Sequence, residues 1–401
     1  MKLIIRQLLC CSLVLSSCQS ASEGEQKAQE AEAGPSPVFL FIGTYTPKEA
    51  VPAGKASGIY VYKMDTEHGT LTKIDSIEGP LNPSYLAIHP NGRYLYAVNE
   101  MADGTDAVLG QVSAFSIDAG EMKFQKLNTV SAQGDAPCHL TITPDGKHLL
   151  VANYVGGNIA AFPIASDGAL GEATSVVQHE GSGPDKGRQK EPHAHMVKLF
   201  PIGENNFVSV DLGIDRVLHY QLDENTGQIN GVAETPTSPG AGPRHLDFHP
   251  KSSWVYVVNE LNHTIEVFHY TTILAPFERK QTISTLSEGS QAQAYPGAIK
   301  VHPNGRFLYA SNRGQTEEEN SIAMYQIDAE NGQLTFLGVQ SVNGSFPRDF
   351  EIDPSGKFLL VANQKSNNVV VYTINLETGT LEETELDYEI NTPVCLKFLT
   401  L

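Results

Sequence analysis

Side chains that move protons or grip anions cluster in short, recurring places along this chain. One set precedes runs of alternating apolar residues: Pro137-Cys138-His139, Pro192-His193-Ala194-His195, Gly242-Pro243-Arg244-His245 and Phe346-Pro347-Arg348-Asp349. A second set follows such runs: Asn99-Glu100, Asn153-Tyr154, Asp211-Leu212-Gly213, Asn259-Glu260 and Asn312-Arg313. Histidine and glutamate can pass protons when their pKa lies near ambient pH. Arginine forks hold a carboxylate, a phosphate or a developing oxyanion through paired N–H donors. Gathered in one concavity, such residues would bind a polar or anionic small molecule.

What must gather them is a repeat. It reads LAIHPNGRYLYAVNE (86–100), LTITPDGKHLLVANY (140–154), LDFHPKSSWVYVVNE (246–260), IKVHPNGRFLYASNR (299–313) and FEIDPSGKFLLVANQ (350–364), with a degenerate copy at VKLFPIGENNFVSVDLG (197–213). The turn prolines Pro90, Pro144, Pro201, Pro250, Pro303 and Pro354 are spaced by 54, 57, 49, 53 and 51 residues. Each copy continues into a third alternating run, such as IEVFHY (265–270) or VVVYTIN (369–375), and then a fourth. Alternation bounded by Pro, Gly and Asn turns means short antiparallel strands. Four of them per repeat of roughly 50 residues form a β-propeller blade.

Six repeats are complete. Residues 38–79 lack only a first strand, and NTPVCLKFL (391–399) is a first strand without the others. The expected fold is therefore all-β: a seven-bladed β-propeller whose C-terminal strand pairs into the first blade and removes the exposed edges. In such blades the first strand leaves one face of the disc and the second returns to it, so both residue sets share one mouth. The His/Asp-Pro turns fall on the other face, which assigns His89, His249 and His302 to turn hydrogen bonding.

Composition bounds the rest. The 401 residues suggest two or three domains at roughly 150 each, but residues 38–401 divide by seven into 52 per blade. A net charge of −19 argues against nucleic acid as a partner. Zinc spacings and calcium-loop repeats are missing, so no cofactor or metal is expected. Lys2 and Arg6 flank a short apolar run, Leu8 to Leu15, too short to span a bilayer. It ends in Leu15-Ser16-Ser17-Cys18, which resembles a bacterial lipobox. The reading is a signal peptide over 1–17, a lipidated Cys18 with a disordered tether over 18–37, and the propeller over 38–401. Contact with a membrane is expected only through the lipid, on the periplasmic side or at the outer membrane. A cytoplasmic location follows instead if the lipobox is not processed. Cys138 and Cys395 fall in separate repeats and are expected to be free, buried thiols, and the protein a monomer.

The segments VANYVGGN, PHAH, VDLGIDR, GPRHLDFHP, VVNEL, SNRG and FPRDFEIDP together resemble the seven-bladed lactonase family, which contains propeller-type 6-phosphogluconolactonases and the fungal carboxymuconate lactonizing enzyme. The resemblance covers about 38–401. It implies an active site of a His, two Arg and a Glu: His193 or His195 of PHAH, Arg244 of GPRH, Glu260 of VVNEL and Arg313 of SNRG. All of these fall at the mouth reached above from topology. The implied activity is hydrolysis of a sugar-acid lactone by water, phosphorylated or not. One imidazole would be the acid/base, Glu260 would orient it or act as the base, and the arginines would hold anionic oxygens. His139, His245, Arg348, Asn153 and Asp211 are expected around the substrate, with backbone bonding at a packed inner ring as the plainer reading of His139 and His245. An Arg244–Glu260 structural ion pair is the plainer reading of those two residues. A lactone-forming cycloisomerase and a non-catalytic propeller that binds a glycan or protein are the alternative functions.

Overall fold

The computed structural model describes residues 36–47, 54–102 and 110–401. The expected signal peptide, Cys18 and nearly all of the tether lie outside these residues. The described chain folds as seven four-stranded antiparallel sheets. Blade 5 illustrates the plan: Pro243–Phe248 runs innermost, then Trp254–Asn259, Thr264–His269 and the outer Glu278–Ser284. Its two inner strands are buried almost throughout, whereas the outer strand is largely exposed.

The ring closes as the repeat count requires. Val38–Thr44 pairs antiparallel with Pro393–Thr400, from Val38↔Thr400 to Thr44↔Pro393. The two ends of the chain thus build blade 1. No single core holds the molecule. Apolar clusters lie between neighbouring blades, as where Tyr309 and Met324 of blade 6 meet Phe350 and Val361 of blade 7. Each buried side chain of this size contributes roughly 1.5–3 kcal/mol. The length prior fails for this reason: the propeller grows by adding interfaces rather than domains.

Polar staples repeat between blades. The Nε2–H groups of His89, His249 and His302 donate to the carbonyls of Gly146, Gly305 and Gly356, one blade further on, at 3.0, 2.9 and 2.8 Å. Their Nδ1 atoms accept from backbone two residues ahead. These histidines are turn residues, as expected, and they also bridge blades. The hydroxyls of Tyr96, Tyr256 and Tyr309 bridge in the same way to Gly168, Gly332 and Gly379.

One irregularity prepares the chemistry. In six blades the innermost pairing carries an extra residue at its mouth end. Pro137 pairs with Asn153 and His139 with Ala152, which leaves Cys138 out of register. The same count sets aside His195, Arg244 and Arg348. A bulge bends the strand and re-aims the extra side chain. Ala136 and Phe346, each just before a strand-opening proline, have φ of 48° and 66°, a left-handed backbone that costs a non-glycine residue energy.

Candidate active site

The bulged residues of the first strands and the terminal residues of the second strands meet at one end of the ring axis. Between them opens a cavity of about 330 Å3, lined by Glu100, Cys138, Tyr154, Arg188, His195, Glu260, Tyr295, Arg313, Gln315, Phe346 and Arg348.

Glu260 organises one side. Its Oε1 accepts from Arg188 Nη2 at 2.6 Å, and its Oε2 accepts from Arg313 Nη2. Arg244 Nε stands 3.3 Å from the same Oε2 as an ion pair, though it is not aligned to donate a hydrogen bond. Burial would raise the Glu260 carboxyl, but Arg313, Arg244 and Arg188 together outweigh it and hold the pKa at about 2. Glu260 is therefore an anion throughout the physiological range. Arg313 also donates to the Tyr295 carbonyl at 3.1 Å and lies over the Phe346 ring.

Glu100 organises the other side. Its Oε2 accepts from the Tyr45 hydroxyl at 2.9 Å, and its Oε1 lies 3.6 Å from Arg348 Nη2. Arg348 also lies over the Tyr45 ring, at 5.2 Å. Three guanidiniums thus share the cavity wall with two carboxylates, and Arg244 lies beneath it beside Asp349, so the site carries one positive charge in excess. Such a site attracts anionic oxygens.

The two histidines of the PHAH segment separate. His195 is the bulged residue of blade 4 and lines the cavity. Burial first, then Arg244, Arg348 and Arg313, push its pKa well below the usual imidazole value, so it is neutral at pH 7. Its Nδ1 lies 3.7 Å from Cys138 Sγ. Burial raises that thiol, which keeps it protonated and unreactive. His193 stacks on the Tyr154 ring at 4.5 Å and donates from Nδ1 to the Tyr154 carbonyl at 3.0 Å. It supports the wall without forming it.

The remaining expected residues divide. Arg348 lines the cavity. Arg244 sits beneath it, 2% exposed, donating to the Gly297 carbonyl at 2.7 Å. His139 and His245 line a different cavity, at the opposite end of the axis. Asn153 and Asp211 do not reach the substrate cavity. Asn153 donates to the Ala132 carbonyl at 2.9 Å and to Asn158. Asp211 accepts from the backbone N–H groups of His193 and Gly213 and pairs with buried His179. Both end a second strand, where the polar side chain ties the incoming linker of the blade instead of facing the axis. In four repeats the next residue is the one that faces it. Glu100, Tyr154, Glu260 and Arg313 all occupy that position, directly after Asn99, Asn153, Asn259 and Asn312. That register was the available signal for Glu100 and Tyr154. Arg188 comes from the Gly-rich, basic loop 181–190 before PHAH, which the sequence offers either as a source of Lys186 or Arg188 for the substrate or as a plain flexible loop. Cys138 and Cys395 are free and buried, as expected.

Residues 39–398 match the family model described as lactonase, 7-bladed beta-propeller. The chain is 35% identical over 362 residues to a 6-phosphogluconolactonase of Bacillus subtilis, covering 90% of this chain and 97% of that one. It is 31% identical to a 6-phosphogluconolactonase of Formosa agariphila, over 90% and 99% of the two chains. The solved structure of a periplasmic gluconolactonase from Pseudomonas aeruginosa superposes with a TM-score of 0.82 at 30% identity, over 91% of this chain and 99% of that one. With the closed seven-bladed ring and its arginine-lined mouth, these matches establish that the chain belongs to the seven-bladed β-propeller lactonase family.

Proposed function

We propose that this protein is a lactone hydrolase that opens a sugar-acid lactone, a six-carbon aldonolactone or its 6-phosphate, at the cavity around Glu260. The observation that carries the reading is the excess of guanidiniums over carboxylates around a buried, neutral imidazole. Attack of water on a lactone carbonyl builds negative charge on the carbonyl oxygen, and the product is a carboxylate. Arg313 and Arg348 are placed to meet those oxygens. His195, being neutral, can take the proton of the attacking water and return it to the leaving alkoxide. Glu260, already bound to three guanidiniums, is a positioning residue for Arg188 and Arg313 rather than a proton acceptor. Arg188 is the most exposed of these cations.

The relatives named 6-phosphogluconolactonase and the periplasmic gluconolactonase from Pseudomonas aeruginosa bracket the substrate. We assign the unphosphorylated lactone, because the Leu15-Ser16-Ser17-Cys18 segment reads as a lipidation signal and would hold a monomeric enzyme outside the cytoplasm. A lactone panel read with a pH indicator tests both parts. Acid release from δ-gluconolactone above the spontaneous rate supports the assignment. Turnover of the phosphorylated lactone alone would overturn the substrate choice, and turnover of neither would overturn the enzyme. Palmitate labelling that disappears in Cys18→Ala tests the anchor.

A further inference from the structure

At the opposite end of the ring axis lies a second cavity of about 340 Å3. Its rim is made by one register position, two residues before the turn residue of each first strand. Around the ring this position reads Lys397, Ala87, Thr141, Lys198, Asp247, Lys300 and Glu351. The five charged members alternate in sign. Lys198 pairs with Asp247, and Glu351 accepts from both Lys300 and Lys397, at 2.7 and 3.4 Å. Three ammoniums face two carboxylates, so one positive charge is uncompensated. Among the described residues, Lys198 and Lys300 each make a single side-chain hydrogen bond, which leaves two of three donors on each unspent.

The belt has a gap. Ala87 and Thr141, on adjacent blades, line the cavity without carrying charge. Above the gap sits His139, 4% exposed, with neither ring nitrogen partnered among the described residues. A buried imidazole left unbonded costs free energy that an occupant could recover. Toward the active site, an intervening space of about 10 Å3 bounded by Tyr85, Arg244 and His245 has room for about one water. Asp349 faces that space together with Arg348, and does not line the lower cavity.

We propose that this lower mouth is a second binding site, separate from the lactone site, for a small oxyanion such as a carboxylate or phosphate. The anion would lie between Lys198, Lys300 and Lys397, with its remaining polar groups against His139. Excess charge, unspent donors, an unpartnered buried imidazole and an uncharged sector are all unexplained by the hydrolysis, which takes place at the other end.

Calorimetric titration of the full chain with inorganic phosphate tests it. Removing Lys198 would strip Asp247 of its ion pair and removing Lys300 or Lys397 would weaken that of Glu351, which endangers folding, so the variant is Thr141→Glu, which puts a carboxylate into the uncharged sector. Saturable one-site binding is expected, weakened by about tenfold or more in Thr141→Glu through like-charge repulsion and kept in Thr141→Ser. Lactone turnover in Thr141→Glu should equal that of the unmodified chain, and phosphate should not compete with lactone at the concentrations that fill the site. Absence of saturable binding would overturn the proposal. Binding unchanged by Thr141→Glu, or competitive with lactone, would place the anion on the arginines of the catalytic mouth and overturn it equally.

Discussion

Glu260 shows how a residue's role follows from its partners. A lone mouth glutamate could be a general base, yet here three guanidiniums hold its pKa at about 2. Its worth lies in fixing Arg313 and Arg188. Glu260→Gln keeps the shape and removes the charge, so these cations lose their anchor and lactone turnover should fall by about 10². The double variant with Arg313→Met should fall little further, because the two residues act as one unit. Steady-state kinetics on the three variants checks this, and additive losses would contradict it. His195 gives a pH signature. Its imidazole must be unprotonated to act as base and its pKa lies below the usual 6.5. The enzyme-catalysed rate, after subtracting spontaneous opening, should therefore be flat from pH 7 to 8 and fall only on the acid side of about pH 6.5. A decline that begins above pH 7 would exclude His195.

The strands that carry these residues were readable because the repeat is strong. Six copies of strand, turn, strand and asparagine fix the blades, and the two incomplete ends fix the closure. Which mouth side chain faces the axis was less legible. A period-two pattern places Asn153 and Asp211 at the right height but says nothing of the bulge that turns Cys138, His195, Arg244 and Arg348 inward. Asn153 and Asp211 are expected near substrate for that reason, and their amide and carboxylate are spent on backbone and on Asn158 and His179 instead. The choice between His193 and His195 was open for the same cause, since it depends on an extra residue that only the pairing register reveals. The closing strand makes a direct test possible. Truncation before Asn391 would leave Val38–Thr44 unpaired along its inner edge, and an open edge of that length promotes association. The truncated chain should be insoluble or aggregated by size-exclusion chromatography. A soluble monomer with unchanged thermal unfolding would contradict the closure.

The molecule as a whole places three neutral imidazoles, His195, His245 and His139, in a column along its axis, with ring centroids 5.3 and 5.5 Å apart. Each has its folded-state pKa pushed well below 6.5, first by burial and then by surrounding cations. The unfolded chain therefore binds more protons than the folded one between those lowered values and pH 6.5. Stability should fall as pH drops through that window, with a slope of up to about 4 kcal/mol per pH unit for three protons. Thermal unfolding between pH 7 and 5 reads this window, to which His219, held at about 4 by burial, adds in the same sense. A melting temperature constant over that span would contradict the burial of neutral histidines along the axis. The overall charge of −19 has little bearing on the reaction, because the two mouths of the axis are both locally cationic.

The central claim is that the arginine-lined mouth opens lactones with His195 as its base. It is tested most directly by acid release from δ-gluconolactone with the intact chain and with His195→Asn, each confirmed as folded by its thermal transition. The account predicts turnover above the spontaneous rate for the intact chain, and a loss of about 10² or more in the variant. Equal turnover in the two folded proteins would contradict it.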